Sequence, residues 1–422
     1  IAFTMPDLRP RLSSQATKMV GGKFVSPQGY ERLPQPMESN DVAIEVTSET
    51  EQLVGCKKDN GKKKGKGGAI RRCCNLLCIG IVAGYMIFIF SVQTIWNDWF
   101  ASPTSPKGIH LSFGEDAHAQ VTIAWRTSAP VKLPTVVLYC DDLSHTVEDS
   151  AVGTSVQLHD YDNAAVFSVP MLPFFTLLAP TRFFHKVSLT SLKPGKTYSY
   201  AVMDGENPTN WARFRVPAKN EKRKFVVYGD FGFHNAQSIP HLNREVYETS
   251  QGGAKPVDAI LHVGDIGYDL HDRAGKIADW FLQLIQPLAS RIPYMVCPGN
   301  HEVHNNFSEY KTRFPMPGNS DGQYYSWKIG LVKIISFSTE LYFYKEDSPR
   351  VLAQLNWLRK ELQYANAPEN RTKQPWVITM AHRPMYCSSG DPCRLPSSKV
   401  REMFESLLFV NKVDLAFFGH EH

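Results

Sequence analysis

Five apolar, strand-like runs in the second half of this chain each end in a side chain that can bind a metal ion. They are FVVYGD ending at Asp230, AILHVGD at Asp265, YMVCPGN at Asn300, WVITMAH at His382 and VDLAFFGH at His420. Carboxylates, an amide oxygen and imidazoles together suit ions such as iron, zinc or manganese. Tyr268 follows three residues after Asp265 and adds a phenol; His422, two after His420, adds a third imidazole. Glycine precedes Asp230, Asp265, Asn300 and His420, as a tight turn or a close backbone approach requires.

Taken singly, these residues say little. An Asp after a strand is usually a helix cap. A lone His there is more often hydrogen-bonded than metal-bound. Asn300 alone is a turn residue, and Tyr268 alone a core aromatic. The ordered set is different, because α/β proteins gather ligands outside the carboxyl ends of their strands. Five strand ends would thus aim their terminal side chains at one crevice. His304 reads as a solvent-exposed loop residue.

The elements that must position these side chains are apolar runs at 225–228, 259–263, 294–297, 331–337, 376–380 and 413–418. Helical stretches at 277–288 and 351–365 lie between them. Val/Ile/Leu runs joined through helices describe strands buried on both faces, so residues 222–422 are expected to form an α/β domain. Residues 103–217 have another texture. Val121, Ile123 and Trp125 alternate onto one face, and Pro194-Gly195 marks a turn. This predicts an all-β sandwich, and with no cluster of His or carboxylates it reads as a positioning module.

The length of 422 residues suits two or three domains, and 43% hydrophobic with 21% charged residues fits a globular core. Residues 1–72 carry 13 Lys and Arg against 8 Asp and Glu, which accounts for the whole net charge of +5. The rest is neutral, so no polyanion groove and no nucleic-acid partner is expected. The tail, with its Gly-broken basic run at 57–66, is expected to be disordered and cytosolic.

Residues 73–97 carry no charge, and the 20 predominantly apolar residues at 76–95 would span ~30 Å as a helix, one bilayer core. Eight Lys and Arg precede this segment and Trp96 and Trp99 follow it. A single transmembrane helix over 73–96 follows, with everything after residue 100 lumenal or extracellular in a type II arrangement. A cleaved signal and a secreted product are the alternative. Asn306-Phe307-Ser308 and Asn370-Arg371-Thr372 are glycosylation sequons on that lumenal side. Cys387 and Cys393 flank a short loop and could form a local disulfide, whereas Cys140 and Cys297 read as plain thiols.

The blocks GDFG, GDIGY, GNHE, AHRP and GHEH, in that order, resemble those of calcineurin-like metallophosphoesterases. Tyr268 narrows the resemblance to the purple acid phosphatases. HLSFG at 110–114 and LKPGKTYSY at 192–200 resemble the fibronectin-III-like N-terminal domain of their larger animal and plant members. NFSEYKTRF, YYSWKIG and HRPMYC resemble the animal type.

The resemblance implies mixed β-sheets flanked by helices and a dinuclear site. One metal, Fe(III), would take Asp230, Asp265, Tyr268 and His422; the other, divalent Zn, Mn or Fe, would take Asp265, Asn300, His382 and His420. The first set is hard and anionic, the second softer and more neutral, in keeping with that division. His301 would contact substrate. The implied activity is that of an acid phosphatase, hydrolysing small phosphate monoesters with a metal-held hydroxide as nucleophile. Cleavage of diesters or nucleotides, or a catalytically decayed cell-surface protein, are the alternatives. No His lies between His382 and His420, which leaves the proton donor open. The oligomeric state is open too, with a homodimer as one candidate. The family continues past its GHxH block, so a chain ending at His422 reads as a partial sequence.

Overall fold

A computed structural model describes residues 2–4, 102–131, 136–141, 149–158, 181–204, 207–250, 256–344, 348–388 and 391–422. The expected span at 73–96 and all but residues 2–4 of the expected tail lie outside the described residues. Among the described residues no helix is long and apolar enough to cross a membrane.

The first strand is unexpected. Ala2–Thr4 form β1, and Ala2 and Phe3 lie opposite Val226 and Phe225 of β11 (Lys224–Tyr228). A sheet edge offers a row of unpaired N–H and C=O groups, which an extended segment can satisfy whatever its composition. A membrane span at 73–96 would put β1 and β11 on opposite faces of a bilayer.

Residues 107–215 form two antiparallel sheets. One has the order β2 (Lys107–Phe113), β3 (Val121–Thr127), β7 (Arg182–Leu189), β6 (Thr154–Leu158). The other has the order β10 (Ala212–Arg215), β8 (Thr197–Asp204), β4 (Val136–Asp141), β5 (Asp149–Val152), with β9 (Asn207–Pro208) beside β8. Leu111, Ile123 and Val187 from the first sheet and Val137, Tyr200 and Phe214 from the second share one core. Antiparallel pairing and period-2 burial go with the absence of helix among the described residues here.

The second half carries two further sheets. β11, β12 (Ala259–His262) and β13 (Tyr294–Val296) run parallel. In the other sheet β14 (Tyr324–Ile329) and β15 (Val332–Phe337) form a hairpin, and β16 (Trp376–Met380) and β17 (Leu415–Phe417) continue parallel to β15. Alternation along the strands explains the layering. Val227, Leu261, Met295, Ile334, Ile378 and Met380 belong to the core between the sheets. Their neighbours Val226, Ile260, Val296, Ile335 and Val377 belong to the core shared with the helices.

Those helices include α1 (Ile239–Ser250), α2 (Asp272–Ala289), α3 (His304–Arg313), α4 (Leu341–Tyr344), α5 (Pro349–Asn366), α6 (Pro368–Arg371) and α7 (Asp391–Val410). In α5, Ser348 caps the helix by accepting the Arg350 N–H, and Pro349 supplies a preset first residue. Val351, Leu358, Leu362 and Ala365 then fall on one buried stripe. The fully buried Leu358 side chain stabilises by ~1.5–3 kcal/mol relative to exposure.

The two halves are fastened by buried polar contacts. Asp279 of α2 pairs with Arg126 at 2.9 Å, Arg182 at 2.7 Å and Arg313 at 2.7 Å. Gln286 accepts the Gly108 N–H at 2.7 Å, and Tyr200 donates to the Ser290 carbonyl at 2.8 Å. Such groups are costly when unpaired, and losing one partner strands the others.

Candidate metal centre

The chain leaves each parallel strand through a sharp turn, and the turns hold the candidate ligands. Asp230 and Asp265 adopt positive φ of 55° and 51°, and His420 of 75°. Left-handed backbone at non-glycine residues costs of order 1–3 kcal/mol and concentrates at functional sites. The glycines before them are needed for space. A Cβ on Gly264, itself at φ +88°, would strike the His382 ring, and one on Gly419 would lie 2.6 Å from Asp230 Oδ2.

Asp265, His382 and His420 come from the ends of β12, β16 and β17, yet their ligand atoms lie within 4.8 Å of one another. His382 Nε2 is 3.2 Å from Asp265 Oδ2, from Asn300 Oδ1 and from His420 Nδ1. His382 Nδ1 donates to the Val263 carbonyl at 2.9 Å, which fixes Nε2 as the atom facing the cluster. The other three candidates adjoin this group. Tyr268 OH is 3.2 Å from His422 Nε2 and 3.3 Å from the Asp230 carbonyl, and the Asp230 carboxylate accepts the His420 N–H at 2.8 Å. All seven residues thus form one continuous set. Its carboxylates, phenol, imidazoles and amide oxygen fit a pair of cations.

His301 sits at the rim, with its side chain 34% exposed. Its backbone N–H donates to Asp265 Oδ1 at 3.1 Å. Its ring stands edge-on to Tyr268, Nδ1 meets Asp269 Oδ1 at 3.1 Å, and Nε2 lies 3.8 Å from Asp265 Oδ2. His304 is exposed, as expected, but opens helix α3 instead of lying in a loop, and its ring stacks on His271 at 3.7 Å between ring centroids. Asn306 accepts from Arg350 at 2.8 Å, and Asn370 donates to the Tyr364 carbonyl at 2.9 Å. Cys387 is in a disulfide, and Cys140 and Cys297 are buried.

The electrostatics are those of charge crowded out of water. Burial pulls His382 down, but the hydrogen bond and charge of Asp265, with Glu340 and Asp230, carry it up to about 9. Burial raises Asp230 and carries Tyr268 up to about 12, with Asp230 and Asp265 adding to the latter. Burial and then the Arg383 charge bring His420 down to about 4. Lone pairs for a cation are therefore ready at His420 and must be freed of protons at His382 and Tyr268.

Three supporting residues escape the sequence reading. Glu302 is buried, and its carboxylate accepts the backbone N–H groups of Asp265, Ile266 and Gly299 at 2.8–2.9 Å. Arg383 Nη1 stands 3.0 Å from His420 Nε2, while its Nε is 3.0 Å from both Glu340 oxygens. Glu302 ends the GNHE block and Arg383 follows the ligand in AHRP, so a signal was present for both. Glu340 has none.

Both halves of the chain resemble known families. Residues 106–216 match the family described as the purple acid phosphatase N-terminal domain, and residues 223–422 match calcineurin-like phosphoesterases. Acid phosphatase type 7 of zebrafish (Danio rerio) is 43% identical over 338 residues, covering 76% of this chain and 70% of that one. The mouse (Mus musculus) protein of the same name is 38% identical, covering 75% and 70%. The chain belongs to the purple acid phosphatases. Its second half is a metallophosphoesterase domain, and the chain is an enzyme of this family. A purple acid phosphatase from yellow lupin seeds shares the fold, with a TM-score of 0.58, 20% identity and coverage of 75% of this chain and 58% of that one.

Proposed function

We propose that this phosphatase hydrolyses small phosphate monoesters at a dinuclear Fe(III)–M(II) centre. Asp230, Asp265, Tyr268 and His422 would hold the iron, and Asp265, Asn300, His382 and His420 the divalent Zn, Mn or Fe. The convergence of Asp265, His382 and His420 within 4.8 Å carries the reading. Bound cations neutralise the phosphate and acidify the attacking water.

The chain's own residues do the rest. Asp265 lies between the two ligand sets and ties them together. The hydrogen bond from His382 to Val263 holds that ring still. Half-exposed His301, steadied through Nδ1 by Asp269, can offer Nε2–H to a phosphate oxygen or to the leaving group as it departs. Residues 103–217 serve as a fibronectin-III-like module that supports α2 through Asp279.

The proposed setting is an oxidising lumen or cell exterior, reached through a span at 73–96 or a cleaved leader. The Cys387 disulfide favours it. The β1–β11 pairing opposes the span. Protease shaving of intact cells that spares residues 1–72 would favour the type II arrangement; loss of the tail would remove it.

The catalytic test is metal analysis and visible absorbance of the purified chain, with p-nitrophenyl phosphate assayed over about pH 4–8, where His and metal-held water titrate. Two metals including iron, phenolate-to-iron colour and an acidic optimum are expected. Full metal loading without turnover overturns the catalytic reading.

A further inference from the structure

An open cleft of about 700 Å³ lies between the end of the β14–β15 hairpin and helices α5 and α6. Trp357, Tyr364 and Asn370 all line it. Trp357 is held against Tyr324 at 4.9 Å between centroids, and Tyr364 is 59% exposed. Lys333 pairs with Glu361 at 2.6 Å, and its Nζ lies 5.8 Å from the Tyr364 ring centroid. The cleft thus sets aromatic faces beside charged hydrogen-bonding groups. Sugars have that duality, with C–H faces that pack on aromatic rings and hydroxyls that need polar partners. Asn370 is the acceptor of the Asn370-Arg371-Thr372 sequon, so a sugar attached to it starts inside the cleft. Its Nδ2 donates to the Tyr364 carbonyl at 2.9 Å, which anchors the amide beside the ring.

We propose that Asn370 is N-glycosylated and that the first sugars of the glycan lie in this cleft against Tyr364 and Trp357. The proposal rests on the lumenal reading above. In the modification, Asn370 Nδ2 loses one proton and bonds to the anomeric carbon of an oligosaccharide. The bond from that carbon to a lipid-linked pyrophosphate breaks, and the lipid pyrophosphate leaves. The amide keeps one N–H.

The test expresses the full chain in animal cells. Mass spectrometry of peptides locates the glycans, and melting is compared before and after enzymatic glycan removal. The same pair is measured in Trp357→Ala and in Tyr364→Ala; the second changes an exposed ring and does not disturb the core. A glycan on Asn370 is expected. Its removal should lower the melting temperature by about 2–4 °C in the parent and by less than half of that in either variant. The charge created at Asn370 by the enzyme is common to all and cancels. A glycan on Asn306 with Asn370 bare overturns the proposal and leaves the lumenal reading standing. Both sequons bare, with the catalytic half exposed to protease outside sealed microsomes, overturns both. A glycan on Asn370 whose removal shifts all three proteins equally overturns the seat.

Discussion

Glu302 accepts the backbone N–H of Asp265 at 2.9 Å. Because it also accepts from Ile266 and Gly299, one buried carboxylate ties the loop bearing Asp265 to the loop bearing Asn300. Burial and then the Asp265 charge push its carboxyl up to about 7. Glu302→Gln keeps the shape but turns an NH2 group toward N–H donors. Metal affinity should fall ~10–100-fold, as for other groups that support ligands. Equilibrium dialysis with metal analysis checks this, and unchanged affinity would show that the loops hold without the tie.

Arg383 should act through His420. Its guanidinium is locked by Glu340 and lies 4.5 Å from the Phe343 ring. Arg383→Lys keeps a charge but loses the planar fork. Divalent-metal affinity should drop, again ~10-fold or more, while iron stays bound. Selective loss of the divalent ion in metal analysis is the signature; equal loss of both metals would mark a general loosening.

Asp279→Ala would leave Arg126, Arg182 and Arg313 crowded together without their shared carboxylate. Breaking a buried pair in this way costs ~3–5 kcal/mol. Urea denaturation followed by fluorescence should show the midpoint falling. A change below ~1 kcal/mol would place this network with exposed ion pairs.

Acid should weaken the fold. Burial holds His262 down to about 3 and His185 down to about 4, and it lowers His110 and His118 too. In the unfolded chain these rings take up protons near the ordinary histidine value of 6.5, so the unfolded state binds more protons between there and the folded values. Their contribution is complete above about pH 6.5 and declines as pH falls toward 4 and then 3. His185→Gln, which keeps a partner for Thr127, should flatten the dependence of melting temperature on pH. An unchanged slope would remove His185 from this account.

Five of the seven candidate ligands were legible because each closes an apolar run, and a run plus its terminal side chain is a local pattern; Tyr268 and His422 follow close behind two of them. β11, β12, β13, β15, β16 and β17 followed from the same runs, β14 (Tyr324–Ile329) lay outside them, and the expected helices at 277–288 and 351–365 lie inside α2 and α5. What was not legible depends on distant partners. Nothing near Glu340 signals that it will meet Arg383 from another strand end. The left-handed turn at Arg273 to Gly275, which interrupts the start of α2, has only one glycine to announce it. β1 was hidden because an edge strand is chosen by the vacancy it fills and not by its own letters. Asp279 sits on an ordinary helix face, and its three arginines lie far off in sequence.

The charged linker near residue 220 looks like a place to divide the chain, but the hydrophobic interior does not stop there. Leu111, Trp125 and Phe214 on one side of it and Phe225, Leu261 and Trp327 on the other belong to a single buried cluster. Cutting at the linker would tear an interior surface open on both products. The phosphatase half therefore inherits its rigidity from a neighbour that supplies none of the seven candidate ligands.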